Sequence, residues 1–322
     1  MCGQWSEEGY IRAQPEILKH ELKLADWMRL VDELAEHPIS YLLLRGGEPF
    51  LLPGIMDLIR HIREKGIALS IDTNGTRIKE YAEEIARIGN IHLTISLDGT
   101  EEIHDAVRGV KGTYAKVKEA VAALQEVEKK TGNEISKSFN FTISPYSLAG
   151  LGDLPAAIHS MGVKVAAIVP YYYFPKAVGE AYEKEMQAAF DCPAYSWVGF
   201  HHEQSGIDFD QFQAEHKRYL AGLDGIYDYP YMALSDDEYR TWFADAVTPV
   251  GPQHCNNIDK LIDIQPNGDA NFCVDFVDYS FGNVRESTIA EVWNSERAER
   301  FRAYRSEKPL PVCLRCGAKF MS

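Results

Sequence analysis

The sequence lacks any apolar run of about 18 residues, and it has no basic leader followed by an apolar stretch. A membrane-spanning helix requires about 20 predominantly apolar residues, and a secretory signal requires such a leader. Neither is predicted, so we expect a cytoplasmic protein that does not contact a membrane.

Positive charge is also scarce. The 322 residues include 33 Lys and Arg against 48 Asp and Glu, which gives a net charge of −15. A field of this sign repels phosphate groups, so we expect no nucleic-acid partner.

Hydrophobic residues at 45% and charged residues at 25% are typical of a globular protein that buries a sizeable core.

Cysteine is infrequent, and without an export signal the few cysteines are not expected to form a disulfide framework. Metal or redox chemistry is the better use for them. The six positions are Cys2, Cys192, Cys255, Cys273, Cys313 and Cys316.

Short apolar runs alternate with amphipathic stretches from residue 25 to about residue 162. This alternation, with a period of roughly 25 residues, is typical of βα units and a parallel sheet. Near-continuous apolar strands favour a complete or partial barrel covered by helices. Strands are predicted at 40–45, 67–71, 91–97, 139–143 and 163–169, and helices at 25–36, 55–65, 77–88, 114–130 and 154–161.

The βα alternation stops after Pro170. An aromatic-rich stretch follows to about residue 250, with one predicted helix at 209–223. The segment from Gly251 carries four cysteines within 62 residues, and a module this small usually requires a metal. We therefore predict three parts: a barrel core at 1–175, a connecting or lid segment at 176–250, and a C-terminal module at 251–322.

Polar loops follow three consecutive predicted strands, at the edge where ligand loops of parallel α/β folds converge. Two glycines admit a ligand close to the backbone, and Glu48 can pair with an ammonium group. Each loop alone is typical of a turn, but the three together favour a binding site. Arg108, predicted on the loop before helix 114–130, either forms an exposed salt bridge or binds a carboxylate. The loop residues of interest are Gly46, Gly47, Glu48, Asn74, Ser96 and Asp98.

These motifs resemble those of the radical S-adenosylmethionine (SAM) enzymes that carry a C-terminal SPASM or twitch module. The resemblance is carried by Gly46-Gly47-Glu48-Pro49, Thr73-Asn74-Gly75, Ser96-Leu97-Asp98-Gly99 and residues 103–109. The opening Met1-Cys2-Gly3-Gln4-Trp5 is similar to the end of the family's Cys-x3-Cys-x2-Cys loop.

The resemblance implies a partial (β/α)6 TIM-like barrel that lacks its first strand, with a small C-terminal iron–sulfur module. Gly46, Gly47 and Glu48 would hold the methionyl amine of SAM. Ser96, Asp98 and Arg108 would contact its ribose and carboxylate, Asn74 would lie nearby, and the backbone at 169–171 would seat the adenine.

The family's chemistry is reductive cleavage of SAM by a [4Fe-4S] cluster, which gives a 5′-deoxyadenosyl radical that abstracts hydrogen from the substrate. The implied substrate is a peptide or a small molecule, and the implied electron donor is a flavodoxin or ferredoxin.

The cluster loop departs from the family pattern, because the third cysteine, Cys2, is present and the two earlier ones would precede Met1. We expect an N-terminally truncated fragment or a mis-started reading frame, whose upstream codons supply a strand and two cysteines. One thiolate cannot secure a cluster, so this chain should leave SAM uncleaved and the extended chain should release 5′-deoxyadenosine. The alternative is a non-catalytic remnant that binds SAM or a partner.

The C-terminal cysteines give a sharper pattern. Cys255, Gly268 and Cys273 match the family's Cys-x(9–15)-Gly-x4-Cys, and Cys313 and Cys316 add a Cys-x2-Cys. The resemblance then implies one auxiliary [4Fe-4S] cluster, as in the twitch variant, that accepts an electron or supports the substrate. Structural zinc remains open, because four-cysteine zinc sites use the same elbow; the protein would then be a SAM-independent barrel enzyme with a zinc-binding tail.

Two further features have two interpretations each. Cys192 is either a buried small hydrophobe or a catalytic thiol. The run Tyr171-Tyr172-Tyr173 either lines a substrate cavity or packs at the barrel mouth.

Overall fold

A computed structural model describes residues 3–5 and 8–320, and the described chain forms two compact units. One unit comprises Trp27–Pro170 and Asp210–Pro230. The other comprises the described part of Met1–Asp26 together with Tyr171–Phe209 and Tyr231–Ser322. These units divide the chain differently from the three predicted parts, since residues 210–230 of the predicted lid join the barrel unit.

The first unit contains a six-stranded sheet in which every neighbouring pair is parallel and the strand order follows the sequence. Sequential parallel order with a helix after each strand is the winding of a partial TIM-like barrel, as predicted. The strands are β1 (Tyr41–Leu44), β2 (Ala68–Thr73), β3 (Ile91–Ser96), β4 (Ser136–Ile143), β5 (Val165–Pro170) and β6 (Tyr227–Asp228).

Helices connect these strands. Those lying wholly or mainly in this unit are Leu24–Leu34, Ile55–Glu64, Ile78–Ile88, Glu101–Arg108, Thr113–Thr131, Leu154–Met161 and Phe209–Ala221, with 3-10 turns at Pro49–Leu51 and Leu148–Gly150. No helix of the described residues is long and apolar enough to cross a membrane.

The two faces of the sheet differ in polarity. On one face Ile71, Leu93 and Phe141 are wholly buried. On the other face Asp72 and Thr94 are half-buried, with polar side chains. Side chains alternate along a strand, so the apolar face is the core and the polar face is available to line a site.

The five predicted strands and the helices between them are confirmed within a few residues. The sixth strand, Tyr227–Asp228, was not predicted. The prediction that Arg108 lies on the loop before helix 114–130 is wrong, because Glu101–Arg108 is a helix with two acidic residues in its first turn and Gly109 in the left-handed conformation at its end. The predicted lid likewise contains Lys176–Phe190 and Asp236–Ala244 in addition to the expected helix.

The second unit is built around a small antiparallel sheet of β7 (Asp263–Ile264), β8 (Asp269–Asn271) and β9 (Gly282–Asn283). Gly268 has φ +92° in the predicted hairpin turn between β7 and β8, where an L side chain is disfavoured. The helices of this unit are Tyr10–Ala13, Glu16–Lys19, Lys176–Phe190, Asp236–Ala244, Asn257–Lys260, Ile289–Trp293 and Glu296–Glu307, with 3-10 turns at Ser196–Phe200, Pro311–Arg315 and Gly317–Phe320.

Aromatic rings form the core of the second unit. The ring centroids of Phe272 and Phe281 lie 4.2 Å apart, and those of Phe190 and Tyr279 lie 4.6 Å apart. Phe301 packs against three of these rings. Contacts of this kind contribute about 0.5–1.5 kcal/mol each beyond area burial, so the helix Glu296–Glu307 is held against the sheet.

Candidate functional site

The first candidate loop follows β1, where Gly46 takes φ +142°. A Cβ at Gly46 would meet no atom within 4 Å, so the backbone there borders open space. Two residues on, Glu48 begins the 3-10 turn Pro49–Leu51 and accepts a hydrogen bond from Phe50 N at 3.2 Å. This loop therefore combines an exposed glycine backbone with a fixed carboxylate.

Glu48 joins this loop to the end of β2. Its Oε1 accepts from Thr73 Oγ1 at 2.8 Å, and its Oε2 accepts from Asn74 N at 2.8 Å. These two donors and Phe50 N are all neutral. They fix the orientation of the Glu48 carboxylate but do not neutralise its charge. The arrangement can bind a cationic group with a charge-assisted hydrogen bond.

Asn74 itself is occupied by a local turn. Its Oδ1 accepts from Thr76 N at 2.9 Å and from Thr76 Oγ1 at 2.7 Å. Next to it Gly75 has φ +79°, and a Cβ there would lie 3.0 Å from Ile95 Cγ2. The loop Thr73-Asn74-Gly75 is thus shaped by its own hydrogen bonds and by close packing on β3. The side-chain nitrogen Nδ2 of Asn74 takes no part in these hydrogen bonds and is available to a ligand.

Asp98, after β3, is buried and holds Arg108. The side chain is 2% exposed, and Oδ2 accepts from Arg108 Nε at 2.6 Å. His104 Nδ1 accepts from Asp98 N–H at 3.1 Å. The carboxylate therefore positions Arg108, whose own side chain is 30% exposed.

Ser96 is the last residue of β3 and pairs with Asn140 on β4. Both lie half-buried on the polar face of the sheet, together with Asp72 and Thr94. Burial raises the pKa of Asp72, and the nearby Arg45 guanidinium and a hydrogen bond from Thr94 oppose that rise. This polar face continues from the edge of the sheet where the three loops meet.

Asp105, in the helix Glu101–Arg108, has a structural role that the sequence did not reveal. Its carboxylate accepts from Tyr114 N at 2.9 Å, from Gly112 N and from Thr113 Oγ1 at 2.8 Å, at the start of Thr113–Thr131. These hydrogen bonds, from Tyr114 and Gly112 first, lower the pKa of Asp105 to about 2. A carboxylate at a helix N-terminus also meets the positive end of the helix dipole.

We expect Asp105→Ala to lower the unfolding midpoint at pH 6 more than at pH 3. The folded pKa lies below the ordinary aspartate value of 3.8, so the stabilisation is present above that value and is lost as pH falls through about 2. Urea unfolding of both proteins at pH 6, 4 and 3 measures the gap. Glu126→Ala, an exposed position of the same helix, is the control and should change nothing; an equal gap at every pH would contradict the account.

The second candidate site is a cavity of the C-terminal module. Its lining includes all four cysteines of the predicted cluster motif, and none of them is in a disulfide. Cys313 and Cys316 are placed by the 3-10 turn Pro311–Arg315, with Cys316 N donating to Cys313 O at 3.4 Å. Cys273 follows β8, and Cys255 precedes the helix Asn257–Lys260.

Two cations line the same cavity. Arg305 and Lys319 are each 5% exposed, which is rare for such residues unless negative charge accompanies them. Burial lowers the pKa of Lys319, and the neighbouring Cys316 and Cys313 oppose that change. Burial raises the pKa of Cys273, Cys313 and Cys316. The donor set fits a positively charged metal group that binds thiolates, with the two cations balancing the excess negative charge.

Within residues 3–5 and 8–320, no three His, Cys, Asp or Glu side chains form a group that could hold a metal ion as they stand. The four cysteines line one cavity. Cys2 lies outside the described residues. Cys192 is 9% exposed and donates its thiol to Asp278 O at 3.1 Å, which matches the interpretation of a buried small residue.

The tyrosine run is a packing feature at two of its three positions. Tyr171 and Tyr173 are 6% and 1% exposed, and Tyr173 Oη donates to Trp242 O at 2.8 Å. The rings of Tyr171 and Tyr173 stack with centroids 5.6 Å apart. These two residues therefore belong to the core of the second unit.

A parallel, sequentially wound sheet with polar loops at one edge, and a second unit with four cysteines around one cavity, define an α/β protein with two candidate sites. Comparison with known proteins narrows this class. Residues 1–140 match the model of the radical SAM superfamily, and residues 255–317 match SPASM, an iron–sulfur cluster-binding domain. The chain belongs to the radical SAM enzymes that carry a SPASM domain, whose cofactors are a [4Fe-4S] cluster, SAM and auxiliary iron–sulfur clusters.

Two curated relatives align over nearly the whole chain. Fe-coproporphyrin III synthase of Methanosarcina barkeri is 25% identical over 95% of this chain and 76% of its own. AdoMet-dependent heme synthase of the same organism is 22% identical over 93% of this chain and 83% of its own.

The solved structure of Streptococcus suis SuiB bound to S-adenosylmethionine shares the fold, with a TM-score of 0.60 at 16% identity. The match covers 92% of this chain and 65% of the SuiB chain, so this chain spans slightly less than two thirds of that protein. SuiB has also been crystallised with its precursor peptide SuiA.

Proposed function

We propose that this protein is an oxidoreductase that uses SAM to abstract hydrogen from a peptide or a small molecule. The observation that carries the proposal is the Glu48 carboxylate, held by three neutral donors beside the open backbone of Gly46. When bound, SAM with a reduced [4Fe-4S] cluster supplies a 5′-deoxyadenosyl radical. The protein contributes binding, orientation and charge.

In this proposal the edge of the sheet holds the methionyl end of SAM. Glu48 accepts a hydrogen bond from the ammonium group, and the backbone of Gly46 and Gly47 approaches it closely because neither residue has a Cβ. Asn74 contributes from the neighbouring loop. Asn74 Oδ1 already accepts from Thr76 N, so Asn74 can offer SAM its side-chain nitrogen Nδ2.

Ser96 at the end of β3 and Arg108 at the end of the helix Glu101–Arg108 hold the ribose and carboxylate of SAM in this proposal. Arg108 binds the carboxylate through guanidinium nitrogens other than Nε, because Nε donates to Asp98. Asp98 acts as a positioning residue, since its 2% exposed carboxylate reaches Arg108. Ser96 contributes a hydroxyl from the polar face of the sheet.

For the C-terminal module we propose one auxiliary [4Fe-4S] cluster on Cys255, Cys273, Cys313 and Cys316. A zinc ion would require all four sulfurs about 2.3 Å from one point, whereas a cluster gives each cysteine its own iron. The four cysteines line one cavity, and residues 255–317 match an iron–sulfur cluster-binding domain, which supports the cluster. Buried Arg305 and Lys319 support it further, because a four-thiolate cluster carries net negative charge. A flavodoxin or ferredoxin is the proposed electron donor.

A second candidate for the substrate is an iron tetrapyrrole. The two relatives that align over more than nine tenths of this chain are named Fe-coproporphyrin III synthase and AdoMet-dependent heme synthase. A peptide substrate is supported by the structure of SuiB with its precursor peptide SuiA, whose fold this chain shares at 15% identity. Titration of the protein with Fe-coproporphyrin III, followed by the porphyrin Soret absorption, distinguishes the two: saturable binding at one equivalent supports the tetrapyrrole, and an unshifted band supports a peptide.

Metal analysis tests the assignment of the module. Protein purified and reconstituted without oxygen should contain about four iron and four sulfide per C-terminal module. Stoichiometric zinc in the native protein, with no uptake of iron, would replace the cluster with a structural zinc site and refute this part of the proposal.

A further inference from the structure

Asn271, the last residue of β8, has a buried side-chain amide that makes no hydrogen bond with the described residues. Its side chain is 1% exposed, and within the described residues neither Nδ2 nor Oδ1 has a hydrogen-bond partner. An unpaired buried polar atom costs about 1–3 kcal/mol. A polar amide among Phe272 and Phe281 is therefore expected to meet a partner that the protein atoms do not provide.

The surroundings of Asn271 restrict what that partner can be. It lines a small aromatic cavity with three other polar side chains, Tyr182, Tyr279 and Cys273. Tyr182 Oη donates to Asp278 Oδ2 at 2.8 Å, and Tyr279 Oη donates to Arg297 O at 3.4 Å. Both hydroxyl protons are thus committed elsewhere, so neither tyrosine donates to Asn271 Oδ1. Cys273 is the cysteine of this cavity, and as an iron ligand its sulfur would be a negatively charged acceptor for Asn271 Nδ2.

Cys273 also lines the cavity that contains the other three cysteines. It therefore lies in the wall shared by the two cavities, with Asn271 on one side and the proposed cluster on the other. A cysteine that ligates iron carries negative charge on its sulfur and accepts hydrogen bonds from amide donors.

We propose that Asn271 Nδ2 donates a hydrogen bond to the Cys273 sulfur of the auxiliary cluster and raises the reduction potential of that cluster. The inference rests on the proposed function, in which the four cysteines hold the cluster. One-electron reduction adds negative charge to the cluster and its sulfurs. The positive end of an N–H dipole stabilises the reduced form more than the oxidised form, and hydrogen bonds to sulfur are one of the quantities that set such potentials.

The test is a redox titration of the reconstituted protein, with the reduced cluster quantified by electron paramagnetic resonance. Asn271→Leu removes the donor at similar volume, and Asn271→Ala removes it without adding bulk. Both should shift the midpoint of the auxiliary cluster to more negative potential while iron content stays at the wild-type value. Met186→Leu, a volume-conserving change in the same cavity, is the control and should leave the midpoint unchanged.

The outcomes separate the two claims. Full iron content with an unchanged midpoint in both Asn271 variants would overturn the role of Asn271 and leave the cluster in place. An absence of iron and sulfide from the four cysteines of the wild-type protein would overturn the cluster, and the role of Asn271 with it. A shift of the same size in Met186→Leu would assign the effect to packing and also overturn the hydrogen bond.

Discussion

Replacing Cys313 and Cys316 together by Ala should abolish the iron–sulfur absorbance and make the region after Gly251 sensitive to protease. The two residues supply half of the four proposed ligands, from one 3-10 turn. Metal binding and folding are coupled in small modules, and loss of the cluster removes negative charge from the cavity that the buried Arg305 and Lys319 line. Limited proteolysis with mass analysis, beside the visible spectrum of the anaerobic protein, measures both effects.

Cys192→Ala is the matched control for this double variant. It removes a buried thiol that donates to Asp278 O and does not line the four-cysteine cavity. Its iron content and its cleavage pattern should match those of the wild type. If Cys192→Ala lost iron and the double variant kept it, the ligand assignment would be wrong.

Glu48→Ala should weaken SAM binding by about 10- to 150-fold. The estimate converts about 1.5–3 kcal/mol for a hydrogen bond to a charged group. Glu48→Gln keeps an oxygen that can accept from Asn74 N or Thr73 Oγ1 but loses the charge, so it separates binding from loop structure. Isothermal titration calorimetry of the anaerobic protein measures the dissociation constant.

Both Glu48 variants should lose affinity if the carboxylate binds the ammonium group. Glu80→Ala, which removes an exposed ion pair with Arg77 on an outer helix, should bind SAM as the wild type does. An unchanged dissociation constant in Glu48→Ala would show that Glu48 only shapes the turn before Pro49–Leu51.

Much of the barrel could be predicted from the sequence, because its strands are apolar runs bounded by amphipathic helices. Segment 91–97 predicts β3 within one residue, and segment 139–143 predicts β4 apart from its first three residues. Tyr227–Asp228 could not be predicted, since two residues carry no periodicity and pairing with β5 is a tertiary property. Glu101–Arg108 was missed although Ile103, Ala106 and Val107 recur at helical spacing, because eight mostly polar residues soon after a strand are also typical of a loop.

The positions of the candidate residues could be predicted better than their contacts. An aspartate that follows a strand, such as Asp98, is indistinguishable in sequence from a ligand-facing loop residue. Its burial depends on Arg108 and His104, which a helix brings back over it. Likewise the spacing of the four cysteines predicted a metal module, but the cations that accompany them and the amide of Asn271 come from separate segments that meet only in the folded unit.

The most direct test of the central claim is the fate of SAM itself. Protein purified without oxygen from its native source is mixed with SAM and a strong reductant, and 5′-deoxyadenosine is quantified by liquid chromatography and mass spectrometry. We predict release of 5′-deoxyadenosine that requires the reductant and is lost in Glu48→Ala. Intact SAM after incubation with iron-loaded, reduced protein that carries all three cysteines of the Cys-x3-Cys-x2-Cys loop would contradict the assignment of this protein as a radical SAM enzyme that uses the Glu48 site.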